Sequence, residues 1–241
     1  MKALILNSGL GTRMGVLTKE HPKCMTDISP RESILSRQLA LLEEAGVEEA
    51  VITTGLFDRV LREYAGGLER KPRLTFVKNP RYAETNYIAS IDYASGALSG
   101  DILLLHGDLV FEPAVLELVL RTGGSLMTVS KSAPLPEKDF KAVIEDGRIR
   151  MVGVEFFENA VAAQPLYRLT EGDLGIWLRR IREFVARGDD RCYAEKALNE
   201  VSGMMDLRPL DVGDMLLGEV DDRNDLAAVT RKLAALEGRT L

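Results

Sequence analysis

Apolar positions along this chain switch between the periods of strand and helix. Lys2 to Leu6 is a short apolar run that ends in a glycine-rich turn, the pattern of a buried first strand. From Ile34 to Ala45 the leucines Leu35, Leu39 and Leu42 recur on one helical face, and Gly46 supplies a stop. Glu48 to Thr54 reads as a second strand, Asp58 to Ala65 as a helix and Leu74 to Val77 as a third strand. Asn86 to Ala97 reads as helix, the apolar run Asp101 to His106 as a central strand, Pro113 to Arg121 as helix and Ser125 to Ser130 as strand. After Ser130 the rhythm changes. Lys141 to Ile144 and Ile149 to Val154 flank Glu145-Asp146-Gly147-Arg148, a β-hairpin with an Asp-Gly turn. Helices are expected at Asp173 to Arg187 and Tyr193 to Glu200, strands at Asp206 to Val212 and Leu216 to Glu219, and a closing helix at Asp222 to Glu237.

Strands alternating with helices imply an α/β fold, a mostly parallel sheet with helices on both faces. No Pro/Gly/Ser-rich linker or internal repeat divides the 241 residues. One domain over 1–241 is therefore expected, with a nucleotide-binding half at about 1–130 and an acceptor-binding portion at about 131–215. The balance of 46% hydrophobic and 28% charged residues is that of a globular protein with a sizeable core. A net charge of −6 argues against duplex nucleic acid as a partner. Cys24 and Cys192 lack metal-type spacing and read as reduced thiols. The N-terminal apolar run is too short for a signal peptide, and no stretch is long enough to span a membrane. A cytoplasmic protein is expected. An oligomer is neither required nor excluded.

The first strand runs directly into Leu6-Asn7-Ser8-Gly9-Leu10-Gly11-Thr12-Arg13-Met14-Gly15. Such a loop can turn its backbone N–H groups toward an anion. A dinucleotide site would want an acidic residue at the end of the second strand for the ribose, but that strand ends Ile52-Thr53-Thr54-Gly55. Arg13 and Lys23 instead place two cations beside the loop, which suits a nucleoside triphosphate. Transfer from a triphosphate calls for Mg²⁺, held by carboxylates, phosphate oxygens and water. Asp108 stands just past the apolar strand Leu103 to His106, where α/β folds collect their ligands. His106 reads as a packed neighbour.

Gly9-Leu10-Gly11-Thr12-Arg13 followed by Pro22-Lys23 resembles the signature of the sugar-phosphate nucleotidyltransferase superfamily. The resemblance implies a Rossmann-like mixed sheet, Arg13 on the β- and γ-phosphates and Lys23 near the α-phosphate. Leu6, Asn7, Ser8, Gly9, Gly11, Thr12, Arg13, Lys23 and Gly107 are then the expected nucleotide contacts. It also implies a metal-binding Asp108 and a second ligand in Leu217-Gly218-Glu219-Val220-Asp221-Asp222. Asp221 is the expected ligand. Asp222 is the alternative, or else the N-cap of the closing helix.

Over nearly the whole chain the layout is similar to small bacterial cytidylyltransferases that make CDP-choline or CDP-2-aminoethylphosphonate. Asn79-Pro80-Arg81-Tyr82 with Asn86 and Ser90 resembles their base-facing segment, which implies CTP with Asn86 and Ser90 near cytosine; Asn86 could also be a helix N-cap. The resemblance places Phe140, Lys141, Tyr193 and Glu195 at the acceptor, with Phe156, Phe157 and Tyr167 nearby. Choline-type enzymes carry Tyr-Trp where this chain has Tyr193-Ala194, and the single tryptophan, Trp177, reads as core. A reduced cage beside Glu195 favours a primary ammonium over a quaternary one, and Lys141 would meet the phosphonate. The expectation is therefore CMP transfer from CTP to 2-aminoethylphosphonate, with phosphocholine as the alternative. A sugar-1-phosphate acceptor and a non-catalytic nucleotide-sensing subunit are the competing readings; retention of Arg13, Lys23, Asp108 and Asp221 argues against the latter.

Overall fold

The computed structural model describes residues 1–9 and 11–238, and among these the side chains of Thr12, Arg13, Val16 and Glu237 are left out of the description. Leu4 and Leu6 of β1 (Lys2–Leu6) pack on one side of the sheet, Ala3 and Ile5 on the other, as the two-residue repeat of a doubly covered strand requires. A 3₁₀ turn over Lys23–Met25 then leads to α1 (Ile34–Glu44). Ser33 and Ser36 cap that helix reciprocally, each hydroxyl accepting the other's backbone N–H. There follow β2 (Glu49–Thr54), α2 (Asp58–Gly67), β3 (Arg73–Lys78), α3 (Tyr87–Ala94), β4 (Ile102–His106) and β5 (Leu109–Phe111). Next come α4 (Pro113–Thr122), β6 (Leu126–Ser130), β7 (Lys141–Glu145), β8 (Arg148–Gly153) and β9 (Ala160–Leu169). The chain closes with α5 (Glu171–Ala186), α6 (Ala194–Val201), β10 (Arg208–Asp211), β11 (Leu217–Glu219) and α7 (Arg223–Glu237).

The main sheet runs β10-β6-β9-β4-β1-β2-β3, with the β7–β8 hairpin attached through β9. Its pairings are parallel except at β9, which lies antiparallel between β4 and β6, and in the hairpin. The expected mixed, mostly parallel sheet is present, and α3, α5 and α6 cover one face while α1, α2 and α4 cover the other.

Two strands depart from the sequence expectation. β5 is only three residues long and pairs with β11 in a separate two-stranded sheet. β9 is ten residues long, but Pro165 removes a ladder N–H in its middle and its pairing with β6 shifts register there. Its first part pairs with β7 and its last part with β4, so the hairpin is continuous with the central sheet. The hairpin turn itself is as expected, with Asp146 and Gly147 at φ 51° and 72°, the doubly positive pair of a tight two-residue turn. No helix among the described residues is long and apolar enough to cross a membrane.

Candidate active site

The site grows from the parallel register of β1 and β4. Leu6 is paired with His106, so the loop after β1 and the turn after β4 leave the sheet side by side. Gly107 N donates to Leu6 O at 3.0 Å. A Cβ on Gly107 would overlap the Asn7 carboxamide, so only glycine lets the two turns approach this closely. Asn7 N donates to Thr53 Oγ1 at 3.0 Å, which ties the loop to β2. Gln38 of α1 reaches under the β4–β5 turn and donates to His106 O and Leu109 O at 2.9 and 2.7 Å.

The short β5–β11 ladder delivers the second acid. Glu219 is paired with Leu109, and Val220 N donates to Asp108 O at 3.0 Å, bringing Asp221 beside Asp108. Asp222 instead caps α7, its side chain accepting from Asn224 N and Asp225 N. The two adjacent aspartates are therefore separated by function: Asp221 faces the cavity and Asp222 starts the helix. Lys23 Nζ donates to Asp108 Oδ2 and to Asp221 Oδ1, both at 2.6 Å. Burial alone would lower the Lys23 pKa, but the Asp108 and Asp221 carboxylates outweigh it and raise the ammonium above its ordinary value. Burial likewise works against an ionised Asp108, and Lys23 with His106 still holds it below the usual carboxylate range.

Asp108 Oδ1 is buried and has no hydrogen-bond partner among the described residues. A buried carboxylate oxygen with spare capacity, beside a second carboxylate at the mouth of the glycine loop, fits Mg²⁺, which takes one or two carboxylates and completes its shell from phosphate and water. Asp108 and Asp221 are the residues that would hold it. His106, Asp108 and Glu219 also bring ligand atoms within 4.8 Å of one another. Of these three, His106 and Glu219 are engaged with each other, His106 Nδ1 lying 2.9 Å from Glu219 Oε1.

That pair was not assigned from sequence. Burial, then repulsion from Asp108, pushes the Glu219 pKa up to about 7. Burial opposes a charged His106, but Glu219 outweighs it and raises the imidazole pKa. The two therefore titrate as a unit. His106 also packs edge-on against Tyr87, with ring centroids 4.9 Å apart, and Tyr193 lies 5.8 Å from Tyr87 and 5.3 Å from Phe140. Tyr87, His106, Phe140 and Tyr193 thus form a group of four rings on the wall of the main cavity. Tyr87 was invisible as a candidate because its neighbours in this group come from three other elements.

The main cavity, of about 630 Å³, is lined by most of the expected residues: Leu6, Asn7, Ser8, Gly9, Gly11, Lys23, Asn86, Gly107, Asp108, Phe140, Tyr193 and Asp221. Asn86 both lines the cavity and caps α3, its side chain accepting from Tyr87 N. A second cavity of about 360 Å³ shares Asn86, Phe140 and Tyr193 and adds Glu195. Glu195 is buried, with Tyr87 and Tyr167 hydroxyls each donating to one of its oxygens. Trp177 is core, as expected, its Nε1 donating to Ala194 O. The side chains of Thr12 and Arg13 lie outside the described residues.

Two expectations are corrected. Ser90 lines neither cavity; it is fully buried behind the loop, its hydroxyl 2.6 Å from that of Ser8 and accepting from Asn79 Nδ2 at 3.0 Å. It supports the loop rather than facing a base. Lys141 is also fully buried, and its ammonium donates to Val154 O at 2.7 Å and stands over the Phe157 ring. That contact fastens the loop after β8 to β7 and leaves Lys141 out of both cavities.

Residues 3–165 match the MobA-like NTP transferase domain, and the chain belongs to that family. CMP-5′-(3-aminopropyl)phosphonate synthase of Streptomyces rubellomurinus is 32% identical over 237 residues, covering 93% of this chain and 37% of that protein. 2-Aminoethylphosphonate cytidylyltransferase of Lancefieldella rimae is 35% identical over 109 residues, covering 45% of this chain and 43% of that protein. The chain thus spans less than half the length of either curated relative. The inositol-1-phosphate CTP transferase of T. maritima shares the fold, with a TM-score of 0.78 at 20% identity over 96% of this chain and 95% of that one.

Proposed function

We propose that this protein is a cytoplasmic, Mg²⁺-dependent cytidylyltransferase that transfers CMP from CTP to 2-aminoethylphosphonate and releases pyrophosphate. The observation that carries the reading is the Lys23 ammonium held between Asp108 and Asp221 beside the glycine loop. A phosphonate oxygen of the acceptor bonds to the α-phosphorus of CTP as the bond from that phosphorus to the pyrophosphate oxygen breaks, in line. The phosphonate dianion is already nucleophilic, so no general base and no covalent enzyme intermediate are needed. The work of the protein is positioning and charge stabilisation. The loop Asn7 to Gly11 cradles phosphate oxygens, and Lys23 offsets charge on the α-phosphate and leaving group. Arg13 enters the reading from the sequence as the second cation. Bound to Asp108 and Asp221, Mg²⁺ would supply charge neutralisation at the phosphates. Asn86, on the cavity wall, is assigned to cytosine. Relatives named for aminopropyl- and aminoethylphosphonate support both the nucleotide and the acceptor class.

One observation favours phosphocholine as a second reading. The rings of Tyr87, Phe140 and Tyr193, with His106, form a more complete aromatic wall than the sequence implied, and such a wall suits a quaternary ammonium. Pyrophosphate release from CTP with Mg²⁺, comparing the two acceptors at equal concentration, decides between them. Release with neither acceptor, but with a sugar 1-phosphate or another triphosphate, would overturn the cytidylyltransferase assignment.

A further inference from the structure

The smaller cavity lies beyond the ring wall of the main one and is joined to it through Asn86, Phe140 and Tyr193. Its volume of about 360 Å³ exceeds what the ethylamine end of 2-aminoethylphosphonate requires. Its lining is charged with both signs, Glu155 and Glu195 against Arg191 and Lys196. Most arginines among the described residues are tied to carboxylates, including Arg81 to Asp190 and Arg187 to Asp189 immediately before this segment. Arg191 and Lys196, in contrast, have no ion-pair partner among the described residues, and neither has Glu155. Two uncommitted cations around the recess that continues an acceptor site are arranged for an anionic group on the acceptor itself. Bare 2-aminoethylphosphonate has no such group to offer once its phosphonate is at the α-phosphate of the nucleotide.

We propose that this recess is an acceptor subsite for a zwitterionic end, the ammonium facing Glu155 and Glu195 and a carboxylate on the same carbon facing Arg191 and Lys196. The inference rests on the cytidylyltransferase reading for the position of the phosphonate, and extends it from an aminoalkylphosphonate to a phosphono amino acid. Phe140 and Tyr193 then act as the neck through which the short methylene chain passes. The geometry predicts selection by charge at the far end of the acceptor, where a quaternary ammonium would leave both cations unmatched.

The test compares 2-aminoethylphosphonate with 2-amino-3-phosphonopropionate, which differs only by a carboxylate on the amine-bearing carbon. Pyrophosphate release with CTP and Mg²⁺ gives kcat/KM for each, in the wild type and in R191Q/K196Q. The expected result is a wild-type preference for the carboxylate-bearing acceptor, and a fall of at least tenfold in the ratio of the two kcat/KM values in the variant. An unchanged ratio in the variant, or a wild-type preference for 2-aminoethylphosphonate, overturns the subsite. Calorimetric titration of both compounds into the protein alone separates this from failure of the wider reading. If neither compound supports pyrophosphate release, the aminophosphonate acceptor of the wider reading falls. Carboxylate-dependent binding that is lost in R191Q/K196Q would still uphold the subsite, and its absence would remove it.

Discussion

Lys23 and Asp108, 85 residues apart, meet at 2.6 Å, and the same ammonium lies 2.6 Å from Asp221. In this arrangement the lysine neutralises the two carboxylates that would hold a divalent cation. A metal bound there would therefore compete with the lysine for the same two carboxylates until a triphosphate offered the ammonium other partners. K23M should reduce turnover by about 10²–10³. It should also tighten Mn²⁺ binding in the absence of nucleotide by about tenfold, because two uncompensated carboxylates remain. Mn²⁺ titration monitored by electron paramagnetic resonance reads the second effect without any catalysis. Weaker metal binding in K23M would show that the lysine supports the site rather than competing for it. Near wild-type turnover would remove it from the chemistry.

The approach of the β1 and β4 turns depends on Gly107. Any Cβ there runs into the Asn7 carboxamide, whose Nδ2 is already buried without a partner among the described residues. G107A should cost about 1–3 kcal/mol through overpacking, or about 3–10 °C in Tm for a chain of this size. CTP affinity should fall with it, since Asn7 and Gly107 both line the cavity. Removing the obstruction in N7A/G107A should recover part of the stability but not the CTP affinity. A double variant no more stable than G107A would mean the clash is relieved elsewhere.

Local chemistry was the legible part of this site. The glycine loop, Lys23 and Asp108 are adjacent to a strand end or to each other in the chain, so residue type and spacing were enough to single them out. What stayed hidden depends on contacts between distant segments. His106 and Glu219 are 113 residues apart and become a pair only because β11 folds back on β5. Asp221 was the expected ligand from sequence, and the same ladder brings it beside Asp108 while Asp222 caps α7. Lys141 was placed at the acceptor phosphonate by resemblance alone, whereas carbonyl partners and the Phe157 ring accommodate it inside. β9 was overlooked because Pro165 and three alanines blur the two-residue repeat, although the strand is held from both sides by β4 and β6. Ser90 was placed near cytosine by resemblance alone; its hydroxyl instead turns inward to Ser8 and Asn79.

Gln38 illustrates a residue whose importance is invisible in sequence yet specific in structure. Its Nε2 satisfies two main-chain carbonyls, His106 O and Leu109 O, on either side of Gly107 and Asp108. Q38M keeps the volume and removes the donor. With both carbonyls left unsatisfied in the interior, the expected cost is about 2–4 kcal/mol in urea unfolding. The turn carrying Asp108 should loosen, so amide exchange at 107–109 should rise in Q38M. A loss under about 0.5 kcal/mol would mean that water replaces the amide without penalty.

Glu49, at the start of β2, receives Thr75 Oγ1 at 2.6 Å and Arg73 Nη2 at 2.7 Å, with Lys2 Nζ at 3.4 Å. The Thr75 hydrogen bond, against the opposing effect of burial and with help from Arg73 and Lys2, lowers its pKa from 4.5 to about 2. A folded-state pKa below the unfolded one means the unfolded chain takes up the proton first. The stabilisation is thus complete above about pH 5 and is lost as the pH falls from 4.5 toward 2. Because Arg73 is largely exposed, its share is screened, and about 1–3 kcal/mol is expected in all. E49Q should therefore be less stable than the wild type at pH 7 by that amount, and the gap should narrow to a minor fraction by pH 2.5 and close only below about pH 2. Urea unfolding at pH 7, 4 and 2.5 measures the difference directly. A gap that stays constant across the three pH values would assign the loss to packing or hydrogen-bond geometry, and the carboxylate charge would then have no part in it.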